Sequence, residues 1–198
     1  MKADYIKPQI YKKIYPIMSY ENALALRCSL ETGMRIGDVL GLEVKQITGR
    51  TISYTAQKTG KADKKVISAD LAKRLRQISG KKWVFEGRFG DKPRCRQTVW
   101  KDVKKAAKIL KITENVACHS ARKTYAVEEF HEKGLNAVQK ELQHDRASTT
   151  LIYAFSDLLV NDNNKREEMG DSLALAEYII NGVCDRLEPL IKKLGDTP

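Results

Sequence analysis

YENALALRCSLETGMRIGDVLG, residues 20–41, is the stretch from which the architecture follows. Ala23, Leu26 and Leu30 recur at helical spacing and Thr32-Gly33 ends the run, so a helix is predicted over 20–30. Ile36, Val39 and Leu40 repeat the pattern before Gly41, which puts Met34-Arg35 at a joint between two helices. Downstream, residues 51–55 and 65–68 read as short β-strands. Between them Lys58-Thr59-Gly60-Lys61-Ala62-Asp63 is rich in turn formers, which predicts a hairpin with a basic tip. Asp70 is placed to cap a helix through Ile78, and Trp83-Val84-Phe85 reads as a brief strand. Residues 96–110 read as a basic helix with Lys101, Lys104, Lys105 and Lys108 along one face. Helical patterns also cover 120–132, 136–142 and 148–155, with breaks at Gly134 and His144-Asp145. The expected class is mainly α with a small antiparallel β-sheet (α+β).

The 198 residues are 42% hydrophobic and 31% charged, ordinary globular usage that excludes global disorder and a membrane-embedded chain. MKADYIKPQIYKK has no apolar core of a signal peptide, so a cytoplasmic protein with no membrane partner is expected. Cys28, Cys95, Cys118 and Cys184 are widely spaced, which predicts reduced thiols and no zinc site. Cys118-His119 has no third or fourth ligand at a suitable spacing, so no metal is expected.

Charge is more informative. The formal net charge is +11, with 31 basic and 16 acidic side chains in residues 1–156 but 5 and 9 in residues 157–198. A polyanion partner for the first part follows, against the plainer alternative of a solvated basic surface. No repeat or linker divides the chain, so one domain over residues 1–160 with a tail over 161–198 is expected. In that tail Leu173, Ala176, Ile180, Val183, Leu187, Leu190 and Leu194 form an apolar seam that Pro189 should kink, packing on its own domain or on a neighbouring protomer.

Four separated segments then line up: Thr32-Gly33-Met34-Arg35-Ile36-Gly37-Asp38, Gln57-Lys58-Thr59-Gly60, His119-Ser120-Ala121-Arg122, and Leu142-Gln143-His144 followed nine residues later by Tyr153. Each alone is weak, but their order, intervals and residue types together resemble the tyrosine recombinase (phage integrase) family, over residues from about 20 to 156. The resemblance implies that family's largely helical catalytic domain with a small sheet. It also implies site-specific DNA recombination (integration, excision or inversion) through a 3′-phosphotyrosyl intermediate, with no cofactor. Double-stranded recombination sites would be the substrate, held by four protomers, with accessory DNA-bending or directionality proteins as further partners.

The chemistry has its own logic. Breaking a phosphodiester without a metal needs a nucleophile, cations that neutralise the transition state, and an acid for the departing 5′-oxygen. A tyrosine hydroxyl titrates near 10 and needs a base or a cationic field, and Tyr153 has His119 and His144 as possible assistants. Arg35 and Arg122 suit the phosphate clamp, because a guanidinium stays charged and grips two oxygens at once. By the resemblance, Lys58 is the general acid, His119 the acid or base toward the tyrosine, His144 a hydrogen-bonding partner of the phosphate, and Asp38 a support for the first arginine or a nearby backbone. Without the family spacing, Tyr125 or Tyr178 would rival Tyr153. Lys61, Lys64, Arg94, Arg96, Lys101, Lys104, Lys105 and Lys108 are the candidate DNA contacts, the helix at 96–110 being the one for groove insertion.

Three departures from the family's pattern stand out: Gln143 replaces a common glycine, Lys123-Thr124 replaces His-Thr, and no N-terminal core-binding domain precedes the first matched helix. The last suggests an isolated catalytic domain or a short member similar to fimbrial-promoter invertases. Two other readings are a recombinase-like DNA-binding accessory factor without catalysis and a type IB topoisomerase-like nicking and rejoining enzyme.

Overall fold

Residues 3–90 and 92–142 are described by the computed structural model; His144, Tyr153, the helix expected at 148–155 and the apolar seam of the tail lie outside them. The described elements run α1 (Pro8–Ile14), α2 (Tyr20–Thr32), α3 (Ile36–Leu40), β1 (Ile47–Thr48), β2 (Thr51–Thr55), β3 (Ala62–Val66), α4 (Ala69–Ile78), α5 (Arg96–Ile109), α6 (Cys118–Lys133) and α7 (Leu135–Glu141). The three strands form one antiparallel sheet in the order β1-β2-β3. The class is therefore the one the sequence implies.

Helix α2 is the hub and touches α3, α4, α5 and α6. Its residues Ala25, Leu26 and Cys28 are fully buried, in one core with Leu71 and Leu75 of α4, Val99 and Val103 of α5, and Ile52 of β2. Asp102 of α5 caps its start, accepting from Ser19 N at 2.8 Å, Ser19 Oγ at 3.0 Å and Asn22 Nδ2 at 2.8 Å. At its end Gly33 takes the left-handed conformation (φ +68°) and donates to the Ser29 carbonyl at 3.0 Å. Ser29 Oγ then donates to the Met34 carbonyl at 2.7 Å, and Thr32 Oγ1 accepts from Met34 N at 3.2 Å. Buried side chains thus fix the joint that delivers Arg35.

Several boundaries differ from the sequence reading. The second hairpin strand is Ala62–Val66, not 65–68, because Ser68 serves the next helix: its hydroxyl accepts from Leu71 N at 3.2 Å. Asp70, expected as that cap, lies in the first turn, where its carboxylate meets Arg27 at 2.6 Å and Arg74 at 2.9 Å. Trp83-Val84-Phe85 forms no strand; isolated bridges pair Glu43 with Trp83 and Glu86 with Pro93. Helix α1 and strand β1 have no counterpart in the sequence reading. α1 is held from outside itself: Tyr11 and Ile14 are buried, and the Tyr11 hydroxyl lies 3.2 Å from Thr124 Oγ1 on α6. Among the described residues no helix is long and apolar enough to cross a membrane.

Candidate active-site cleft

Three helix starts and one turn surround an open cleft of about 820 Å³. Arg35 stands at the start of α3, with Asp38 one turn further. Lys58 lies in the turn between β2 and β3, which closes through Ala56 N to the Lys61 carbonyl at 2.9 Å. His119 and Arg122 lie in the first turns of α6, where Ser120 Oγ accepts from Ala117 N at 3.1 Å. All five line the cleft, although 87 positions separate Arg35 from Arg122 in the chain.

Two of them, Asp38 and Arg122, are held by identifiable neighbours. Asp38 is 5% exposed, and its Oδ1 accepts from Gln57 N at 2.9 Å, so the carboxylate ties the residue before Lys58 to α3. This is the backbone-holding alternative for Asp38. The other oxygen, Oδ2, is buried with no hydrogen-bond partner among the described residues. The side-chain amide of Gln57 lies along α3 where a Cβ on Gly41 would meet Nε2 at 2.9 Å, so the glycine lets the turn approach. Arg122 is 4% exposed; its Nη1 donates to the Gly33 carbonyl and its Nη2 to the Leu142 carbonyl, both at 2.6 Å. A guanidinium has five donors in a rigid fork, so these two bonds set its plane on the cleft floor.

The cleft is cationic. His119 is accessible to solvent from it, yet the crowding of protein atoms around the ring, followed by the charges of Arg122, Lys123, Arg35 and Lys58, lowers its pKa to about 4. The imidazole is therefore neutral at pH 7. It can accept a proton there, while the four neighbouring cations supply the positive field. The start of α6 adds the positive end of a helix dipole, with no acidic residue in its first turn.

Among the described residues the rival nucleophiles Tyr125 and Cys118 are poorly placed; Tyr178 lies outside them. The Tyr125 hydroxyl bonds to the Glu141 carboxylate, and burial, then that bond, raise its pKa above the ordinary tyrosine value. Its ring packs against Gly33 rather than lining the cleft. Cys118 does line the cleft, but burial pushes its thiol up to about 11. Among the described residues no group of three or more His, Cys, Asp or Glu could hold a metal ion.

The candidate DNA contacts separate into two sets. Arg96 is exposed on the cleft wall, and Lys61, Lys64, Lys101, Lys105 and Lys108 are exposed. Arg94 instead turns to α2, with Nη2 3.7 Å from Glu21 Oε2 and Nη1 donating to Asn22 Oδ1 at 3.4 Å. Lys104 donates to Asn115 Oδ1. Sequence reasoning missed Gln97 and Trp100, which line the cleft beside Arg96, the indole 46% exposed. The four-residue spacing of Trp100 from Arg96 on α5 was the available signal.

A sequence model of the phage integrase family matches residues 5–158, taking in α1 as well as the later segments. The tyrosine recombinase XerD of Lacticaseibacillus casei is 30% identical over 137 residues, 62% of this chain and 46% of that protein. The chain thus spans about half the length of the curated relative it matches. Among solved structures, a lambda integrase dimer bound to a core site is similar at a TM-score of 0.66 and 19% identity, over 78% of this chain and 48% of that one. The catalytic domain of bacteriophage HP1 integrase is similar at a TM-score of 0.61 and 18% identity, over 78% and 89% of the two chains. A XerH recombinase in a pre-cleavage complex with its difH substrate is similar at 0.62 and 18%, over 77% and 51%.

Proposed function

Since the chain belongs to the phage integrase family, we propose that it cleaves and rejoins duplex DNA as the catalytic part of a site-specific recombinase. The observation that carries this reading is the convergence of Arg35, Lys58, His119 and Arg122, from three separate parts of the chain, on one cleft. In the proposed reaction the two guanidinium groups hold the non-bridging oxygens of the scissile phosphate, where charge grows in the transition state. Tyr153 attacks phosphorus, and its proton passes to neutral His119. The bond from phosphorus to the 5′-oxygen breaks, and Lys58 protonates the leaving oxygen. A 5′-hydroxyl from a partner strand then reverses the same steps, so the bond energy is retained in the phosphotyrosyl link and no nucleotide hydrolysis is needed. His144 joins the phosphate contacts.

The substrate is a double-stranded recombination site, with Arg96, Lys101, Lys105 and Lys108 of α5 meeting its backbone. Four protomers act on two sites in the cytoplasm, aided by accessory DNA-bending or directionality proteins, and the apolar seam of the tail docks on a neighbouring protomer.

The test is trapping. Nicked duplex DNA, from which the cleaved end diffuses away, is incubated with the protein without metal, and covalent adducts are read on denaturing gels. An adduct lost in Tyr153→Phe and kept in Tyr125→Phe is the expected result. Tight DNA binding without an adduct would refute catalysis and favour the accessory-factor reading. Relaxation of a supercoiled plasmid carrying a single site would point to topoisomerase-like action instead.

A further inference from the structure

Lys65 stands at an inward position of β3, paired across the sheet with buried Ile52, while its neighbours Lys64 and Val66 are exposed. It is 8% exposed, and lysines are rarely so buried unless their charge is met. Its ammonium donates to the Glu141 carbonyl at 3.0 Å and lies 3.4 Å from Asp63 Oδ2 and 3.6 Å from Glu141 Oε2.

What Lys65 holds matters more than its own satisfaction. The last carbonyls of a helix lack partners within it. At the end of α7 two consecutive ones are met by cations from different elements: Glu141 O by Lys65 of the hairpin, and Leu142 O by Arg122 of α6 at 2.6 Å. The Glu141 side chain also takes the Tyr125 hydroxyl, and the Tyr125 ring packs on Gly33, two residues before Arg35.

We propose that Lys65 is a positioning residue: it seats the end of α7 against the hairpin that carries Lys58 and the guanidinium of Arg122. The proposal rests on the recombinase reading above. Positioning acts on the reaction step more than on affinity, since a misplacement of about 1 Å can slow a reaction about 100-fold.

The experiment compares wild type, Lys65→Met, Lys65→Arg and Glu141→Gln on the nicked duplex, measuring the adduct rate at saturating DNA and the dissociation constant separately. Lys65→Met keeps the stem's bulk and removes the donors; we expect the rate to fall at least about tenfold with affinity within about threefold. Lys65→Arg restores a cationic donor and should recover the rate to within about threefold. Glu141→Gln leaves the apolar contacts intact, carries the test if Lys65→Met fails to fold, and should slow the adduct about threefold at unchanged affinity. An unchanged rate, a parallel fall of rate and affinity, or no recovery in Lys65→Arg would overturn the proposal. No adduct from wild type would instead overturn the recombinase reading and this inference with it.

Discussion

Gly33→Ala probes the joint that carries Arg35. Gly33 has φ +68° and ψ 4°, a left-handed conformation that strains a residue with a Cβ by about 1–2 kcal/mol. An added Cβ would also stand 2.4 and 2.6 Å from Cδ1 and Cε1 of the Tyr125 ring and 2.9 Å from Cδ2 of Leu142. Forcing a methyl into such packing costs about 1–3 kcal/mol, for a total of about 2–5 kcal/mol. Gly49 supplies the control, because it has φ +60° but nothing within 4 Å of its would-be Cβ. Gly49→Ala should therefore lose only the backbone part, about 1–2 kcal/mol. The reduced freedom of the unfolded chain is common to both variants and cancels in their difference. Urea unfolding of the three proteins, with slopes checked for constancy, measures the losses. Gly33→Ala should exceed Gly49→Ala by at least about 1 kcal/mol. Equal losses would refute the reasoning, since the Tyr125 ring would then not lie against Gly33.

Lys58→Ala should slow adduct formation about 100- to 10,000-fold on ordinary DNA and recover on DNA whose 5′ leaving atom is sulfur, which departs without a proton; equal deficits on both would exclude Lys58 as the acid. His119, with a folded pKa of about 4 against an ordinary 6.5, binds fewer protons folded than unfolded between those values. Stability should therefore fall as pH drops through that window, and the urea midpoint of His119→Gln should fall less between pH 7 and 5; equal falls would contradict the low pKa. Lys101→Ala with Lys105→Ala should reduce the slope of log binding constant against log salt by about 0.9 for each phosphate that is no longer neutralised. Lys104→Ala, whose side chain bonds Asn115, should lower the unfolding midpoint and leave that salt slope alone.

Local periodicity carries much of this fold. Helices α2 to α6 and the hairpin could be read because their apolar spacing and turn formers are intrinsic to each segment. α1 could not, since its seven residues between Lys7 and Tyr15 are fixed by distant partners such as Thr124, which no local pattern reports. Strand β1 has only two residues, too few for an alternation. Ser68 and Asp70 are both capping residue types, and only the hydroxyl's bond to Leu71 N distinguishes them. At the site, the resemblance carried by four short motifs selected Arg35, Lys58, His119 and Arg122, which line one cleft. They could not reveal that Lys65 faces inward amid solvent-facing lysines, that Arg94 turns to Glu21, or that Trp100 borders the cleft. Those are outcomes of packing. The roles of His144 and Tyr153 rest on the resemblance, and the trapping experiment tests that of Tyr153.

The amino-terminal segment bears on how the protein is handled at the bench. Asp4 N donates to the Asn115 carbonyl at 3.1 Å, and Asp4 Oδ2 accepts from Asn115 N at 2.7 Å, on the loop leading into α6. Ala3, immediately before, lies on the rim of the cleft. A purification tag or fluorescent fusion joined just ahead of Ala3 would stand close to the opening proposed above to take a phosphate backbone. An acidic tag there would compete with DNA for Arg35, Lys58 and Arg122, and a histidine tag would place extra imidazoles next to His119. Removing the tag should precede any measurement of binding or pH dependence.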